Sequence, residues 1–144
     1  MSNSATPKLK QVARRLLAYE LESSKPGAAK NSAAFHVCEK LRVSLSKLMG
    51  MGGFRSLLSR ALMIARLEVQ WLRELEVTGD GKLEGLDDVE LKLETRAVAE
   101  GEITLVAELL GLLITFIGPV LTKRLLQDSW PDMKNLEFGT GEPL

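Results

Sequence analysis

One cysteine and one histidine in 144 residues exclude a good deal of chemistry. Cys38 has no partner for an intrachain disulfide, and with His36 it falls short of the four ligands of a structural zinc site. His36 and Cys38 also stand two apart, a spacing that does not bring side chains together on a helix, so they do not form a nucleophile pair. Cys38 is expected to be a small core residue. No paired carboxylates flank a recognisable pocket, and neither a metal-ligand spacing nor a nucleophile motif occurs. The chain is therefore expected to be non-catalytic and to need no cofactor. Aromatic residues make up only 5%, which leaves few rings for stacking on bases. SNSATPKLK, after Met1, has no apolar run of the kind a secretory signal carries. A reducing, cytoplasmic setting is the expectation.

The net charge of zero conceals a polarity. Residues 1–73 hold 13 cations and 4 acids, a balance of +9, and residues 74–144 hold the remaining 6 cations and 15 acids, a balance of −9. The plain explanation is that basic and acidic helices pack side by side and neutralise each other. The alternative is a basic face offered to an acidic partner. Its candidate residues are Lys8, Lys10, Arg14, Arg15, Lys40, Arg42 and Lys47.

Along the chain, Thr6-Pro7 reads as an N-cap followed by a proline at the first helical position. A helix to about Ser23 would bury Leu9, Val12, Ala13, Leu16, Leu17 and Leu21. The stretch from Ser23 to Ala34 contains Pro26-Gly27 and reads as a linker, so residues 1–30 are expected to be a helix and linker able to act as a mobile arm. A second helix, capped by Asn31 or Ser32, carries Ala34, Cys38, Leu41, Leu45 and Leu48 at alternating four- and three-residue steps. GMGG, residues 50–53, breaks the chain. It lacks the Gly-Lys-Ser/Thr ending of a phosphate loop and no strand precedes it, so it reads as a helix-to-helix turn. A third helix, Phe54 to about Leu75, carries two apolar stripes: a long one from Phe54 to Leu72, and Ile64, Leu67 and Trp71.

The register changes at Leu75. Gly79-Asp80-Gly81 lies between short alternating segments, which predicts a small hairpin or loop insertion around 76–93, with either a strand or a brief helix following Leu86. The same loop partly imitates an EF-hand, but Glu76 and Asp87 are poor choices for its first and last positions.

From Gly101 to Gln127 runs the most apolar stretch, without a charge between Leu109 and Thr122. Thr104, Glu108, Gly111, Thr115, Gly118 and Thr122 step by four and three along one face of a helix, with Leu and Ile around the rest. Such a helix has to be surrounded by its own chain, by a second copy or by lipid. The first five of these residues form a candidate seam for helix contact. The charge-free run is shorter than the ~20 apolar residues of a membrane span, and extending it takes in Glu108. Pro119 either kinks the helix or opens a new one, and Trp130-Pro131 stops it, leaving 131–144 as a tail.

The blocks FHVCEKLRVSLSKLMGMGGFRSLLSRALMIARLEV (35–69) and AELLGLLITFIG (107–118) resemble a family of uncharacterised small bacterial helical proteins. The resemblance covers about 33–130 and implies a bacterial cytoplasmic protein, with no activity or site residue attached. The expected fold is all-α, a single-domain bundle of four or five helices over 31–130. The expected role is an interaction or scaffold module that self-associates or joins a larger assembly, its partner being a second copy or another protein with an acidic surface. A nucleic-acid-associated subunit is the alternative, and membrane insertion through 103–122 the third reading.

Overall fold

The computed structural model describes residues 7–23 and 33–133. The caps at Thr6, Asn31 and Ser32, the linker and the tail from 134 lie outside the described residues. The chain is an all-α bundle: α1 (Pro7–Ser23), α2 (Ala33–Glu68), a 3-10 turn (Gln70–Glu74), a two-stranded hairpin of β1 (Glu76–Val77) and β2 (Leu83–Glu84), then α3 (Leu86–Lys92), α4 (Thr95–Ile117) and α5 (Pro119–Ser129). α4 is the central element, with α1, α2 and α5 packed against it.

α4 answers most of the question raised by its own sequence. Every residue from Thr104 to Leu110 is buried, almost two full turns, so this part of the helix is enclosed all round by its own chain. α1 supplies one wall through Leu9, Val12, Ala13, Leu16 and Leu17. The mobile arm expected of residues 1–30 is thereby corrected for its helical part, because α1 is a core element. Leu21 departs from its stripe and is exposed.

Two glycines set the corners. Gly50 (φ 81, ψ 161) divides α2 into limbs 33–49 and 51–68, and Gly118 (φ 89, ψ 158) ends α4, with Pro119 as the first residue of α5. Both lie in a backbone region that essentially only glycine occupies, which is why the chain can turn there without strain. The break expected over residues 50–53 is thus confined to Gly50, and Gly52 and Gly53 belong to the next limb. Leu48, placed on the core seam by its spacing, is half exposed beside this break.

The long helix expected to reach Leu75 ends at Glu68. Arg66 secures the 3-10 turn beyond it, its guanidinium donating to the carbonyls of Leu72 (3.4 Å) and Leu75 (2.6 Å). The change to a 3-10 turn separates Trp71 from Ile64 and Leu67, so the second stripe is not one surface. Trp71 packs on α4 and donates its ring N–H to the Ala97 carbonyl at 2.9 Å, whereas Leu67 is 81% exposed.

The hairpin is present, with Val77 opposite Leu83 and Glu76 opposite Glu84, and α3 is the brief helix. At its turn the Thr78 hydroxyl donates to Asp80 Oδ1 (2.6 Å), and this bond, more than the nearby charges of Lys82 and Arg42, holds the Asp80 carboxyl below the usual range. Among the described residues no group of three or more His, Cys, Asp or Glu is placed to hold a metal ion.

Candidate interaction site

The seam expected from the sequence divides on the structure. Thr104 and Glu108 are buried, and Gly111 faces α1: a Cβ built there would stand 3.5 Å from Leu9 Cδ1. Thr115 is exposed, and Gly118 has left the helix. The threonine hydroxyls are satisfied within their own chain, Thr104 donating to Glu100 O (2.9 Å), Thr115 to Gly111 O (3.1 Å) and Thr122 to Gly118 O (2.8 Å). The seam is therefore an internal packing line for two turns, as far as the first turn of α1. At Gly111 an alanine fits in ordinary contact, whereas Gly111→Leu drives a branched side chain into Leu9 and should cost about 1 to 3 kcal/mol. Chemical denaturation of both variants checks this; unchanged stability in the leucine variant would remove α1 from that face.

The charge-free run opens to solvent beyond that line. Phe116 is 68% exposed and Val120 82%, four residues apart across the Gly118 break, with Leu112, Ile114, Ile117 and Leu121 partly exposed in the same stretch of chain. No charged residue occurs between Glu108 and Lys123. An exposed uncharged stretch of this kind, followed in sequence by Lys123 and Arg124, has the composition of a contact surface. Spacing alone does not single it out, since Phe116 and Val120 continue the same apolar pattern as the buried residues. The available signal is the Gly118-Pro119 pair, which ends α4 just after its uncharged last turn.

Several of the basic candidates are paired with acids. Lys40 forms an ion pair with Glu20 (2.7 Å), Arg42 with Glu39 (2.8 Å) and Lys10 with Glu68 (3.5 Å). These three pairs draw their acids from the basic half itself, while Arg42 also lies near Asp80 of the acidic half. Lys8, Arg14, Arg15 and Lys47 are exposed. On the acidic side, Glu74, Glu76, Glu84, Asp87 and Asp88 surround a shallow hollow of about 370 Å³ beside the hairpin.

Lys40 also takes part in a cluster that the sequence does not reveal. Buried Glu20 accepts from Trp130 Nε1 at 2.8 Å, and Lys40 Nζ stands 5.3 Å from the Tyr19 ring centre and 5.2 Å from that of Trp130. Tyr19 in turn donates to Asp132 at 3.2 Å. These contacts fasten α1 to α2 and to the end of α5. A trace exists in the sequence: Glu20 continues the stripe Leu9, Ala13, Leu16, where an acid is out of place unless it is partnered.

Cys38 is buried, and its thiol is pushed up to about 12, chiefly by burial and then by the charges of Glu39 and Glu102. It is a protonated core residue at neutral pH, without the thiolate a nucleophile requires. No described helix is long and apolar enough to cross a membrane.

The class of molecule these features define is an all-α bundle with an exposed uncharged junction at one helix break. Comparison with family models, curated proteins and solved structures finds no match to the chain.

Proposed function

We propose that this chain is a non-catalytic helical interaction module that self-associates, or joins a larger assembly, through the apolar junction of α4 and α5. The observation that carries the reading is the exposure of Phe116 and Val120 within a stretch of 14 residues, Leu109 to Thr122, that contains no charge. A phenylalanine ring covered by a partner removes ~150 to 250 Å² from water, and an aromatic at the centre of a contact is commonly worth about 2 kcal/mol or more. Leu91 and Leu67 are also exposed, and Leu67 has exposed Met63 four residues before it on α2, but Arg60, Arg66 and Glu68 fall within the same two turns, whereas the stretch from Leu109 to Thr122 has no charge. A bacterial cytoplasmic setting fits the resemblance and the single reduced, buried Cys38.

Phe116→Asp is the test, with Val120→Asp as its companion. Both positions are exposed, so neither change removes a core contact. If the junction is the contact, each should weaken association about 30-fold while leaving the unfolding midpoint nearly unchanged. Sedimentation velocity of wild type and variants over a concentration series reads this directly. Identical behaviour of all three proteins would remove the junction from the contact.

A second reading rests on Lys8, Arg14 and Arg15, which α1 leaves exposed. Under it the chain is a nucleic-acid-associated subunit that uses these cations on phosphates. Retention of a short oligonucleotide by wild type, lost in the Arg14→Glu, Arg15→Glu double variant and unaffected by Phe116→Asp, would favour it over the first.

A further inference from the structure

The apolar junction has a counterpart at the other end of α4. Between the second half of α1 and the start of α4 lies a groove of about 470 Å³, walled by Ala18, Leu21, Leu93, Val98, Ala99 and Ile103. Leu21 is 69% exposed there and Leu93 37%, so apolar wall is open to water. Ile103 and Phe116 are separated by about 20 Å along the axis of α4, so a copy cannot seat its own junction in its own groove.

Shape fits the junction to the groove better than to a second junction. Phe116 and Val120 are exposed enough to stand proud of the surface. A phenylalanine ring offers ~150 to 250 Å², whereas a stable contact covers about 800 Å² on each partner. One tip pressed on another is touched on one side only. A tip seated between two helices is enclosed by both and brings the surface around it into contact, and apolar cover stabilises in proportion to its area.

Charge sets the same direction. Val120 and Arg124 lie four residues apart on α5 and so share a face, on which Arg124 is exposed. Leu109 to Gln127 contains Lys123 and Arg124 and no acid, so junction against junction opposes like charges. Residues 86–96, which supply the α3 wall of the groove and the first residues of α4, carry 4 acids and 2 cations. Glu90 and Glu94 are exposed among them, and exposed Arg14 on the α1 wall still leaves the balance acidic. Exposed charges of this kind contribute little strength and mainly orient the partners.

We infer that the α1–α4 groove receives the α4–α5 junction of a second copy, an inference that rests on the junction being the outside contact. Phe116 and Val120 of one copy lie on Leu21, Ala99 and Ile103 of the other, and Arg124 faces Glu90 and Glu94. The contact is directional, since each copy brings one tip and one groove.

Two variants, each blind on one side, test it by sedimentation velocity of the full-length protein. Ala18→Arg, at an exposed position on the groove wall, fills the space and opposes Arg124. Phe116→Asp spoils the tip. Alone, each should associate about 30-fold more weakly than wild type. Mixed in equal amounts they should form a one-to-one complex at the concentrations at which wild type associates, because the first keeps an intact tip and the second an intact groove. Leu21→Arg, also at an exposed position, replaces Ala18→Arg should that variant fail to fold. Groove variants that associate like wild type while Phe116→Asp does not would overturn the groove as the receiving surface and leave the junction reading standing. A mixture that stays at one chain would overturn the directional pairing. Phe116→Asp associating like wild type, or wild type remaining one chain, would remove the junction reading and this inference with it.

Discussion

Trp130→Ala should destabilise the bundle by about 3 to 5 kcal/mol, the upper end of what a single truncation in a core costs. Trp130 is the largest side chain with no exposed surface, and its ring N–H is held by Glu20. Removing it leaves a cavity at the end of α5 and withdraws a hydrogen-bond donor from a carboxylate that remains buried. Lys40 stays with Glu20, so the acid is not left without a counter-charge. Against a total stability of typically ~5 to 15 kcal/mol, the loss is a large fraction. Trp130→Phe separates the two contributions: it keeps most of the apolar volume and loses the N–H, and should cost less than the alanine change. Urea unfolding followed by circular dichroism gives both values. A loss below about 1 kcal/mol for the alanine variant would mean that the end of α5 is not fastened to α1.

Gly101→Ala should also destabilise, although alanine is ordinarily the better helix former by about 1 kcal/mol. The added methyl would overlap the six-membered ring of Trp71, with the indole nitrogen 2.9 Å away. The ring is held by its hydrogen bond to Ala97 O, so it cannot withdraw without losing that bond. Overpacking of ~1 to 3 kcal/mol, with ~1 kcal/mol for the hydrogen bond, exceeds the gain in propensity, and a net loss of about 2 kcal/mol results. The cycle with Trp71→Ala checks the cause. In that background Gly101→Ala should be neutral or stabilising, since the ring that the methyl would meet is gone. A stabilising Gly101→Ala in the wild-type protein would contradict the contact.

Helices are legible in this sequence wherever apolar side chains recur at three- and four-residue steps, and the corners are legible in Gly50 and in Gly118-Pro119, because glycine and proline act locally. What α4 packs against is not, because periodicity identifies a buried face without naming its neighbour. Gly111 reads as a place of close approach, and it meets Leu9 of its own chain. The tighter approach is at Gly101, one step of three before Thr104 on the same stripe. Glu20, Lys40 and Trp130 are brought together across 110 residues of chain, a distance over which no local pattern carries information. The expectation of one basic surface rests on counts. Counts cannot show that Lys10, Lys40 and Arg42 each have an acid within reach. The exposed junction is concealed for the opposite reason: Phe116 and Val120 look like core in sequence, and their exposure appears only in the folded chain.

If the uncharged α4–α5 junction makes the outside contact of this protein, association must survive salt. Light scattering at low and at high salt reads the mass in solution, and salt screens contacts between charges while leaving apolar ones intact or strengthened. The expected result is a mass above the 15.8 kDa of one chain that persists at high salt and falls to one chain in Phe116→Asp. A mass of one chain at every concentration, or a larger mass that dissociates at high salt and ignores Phe116→Asp, would contradict self-association through the junction.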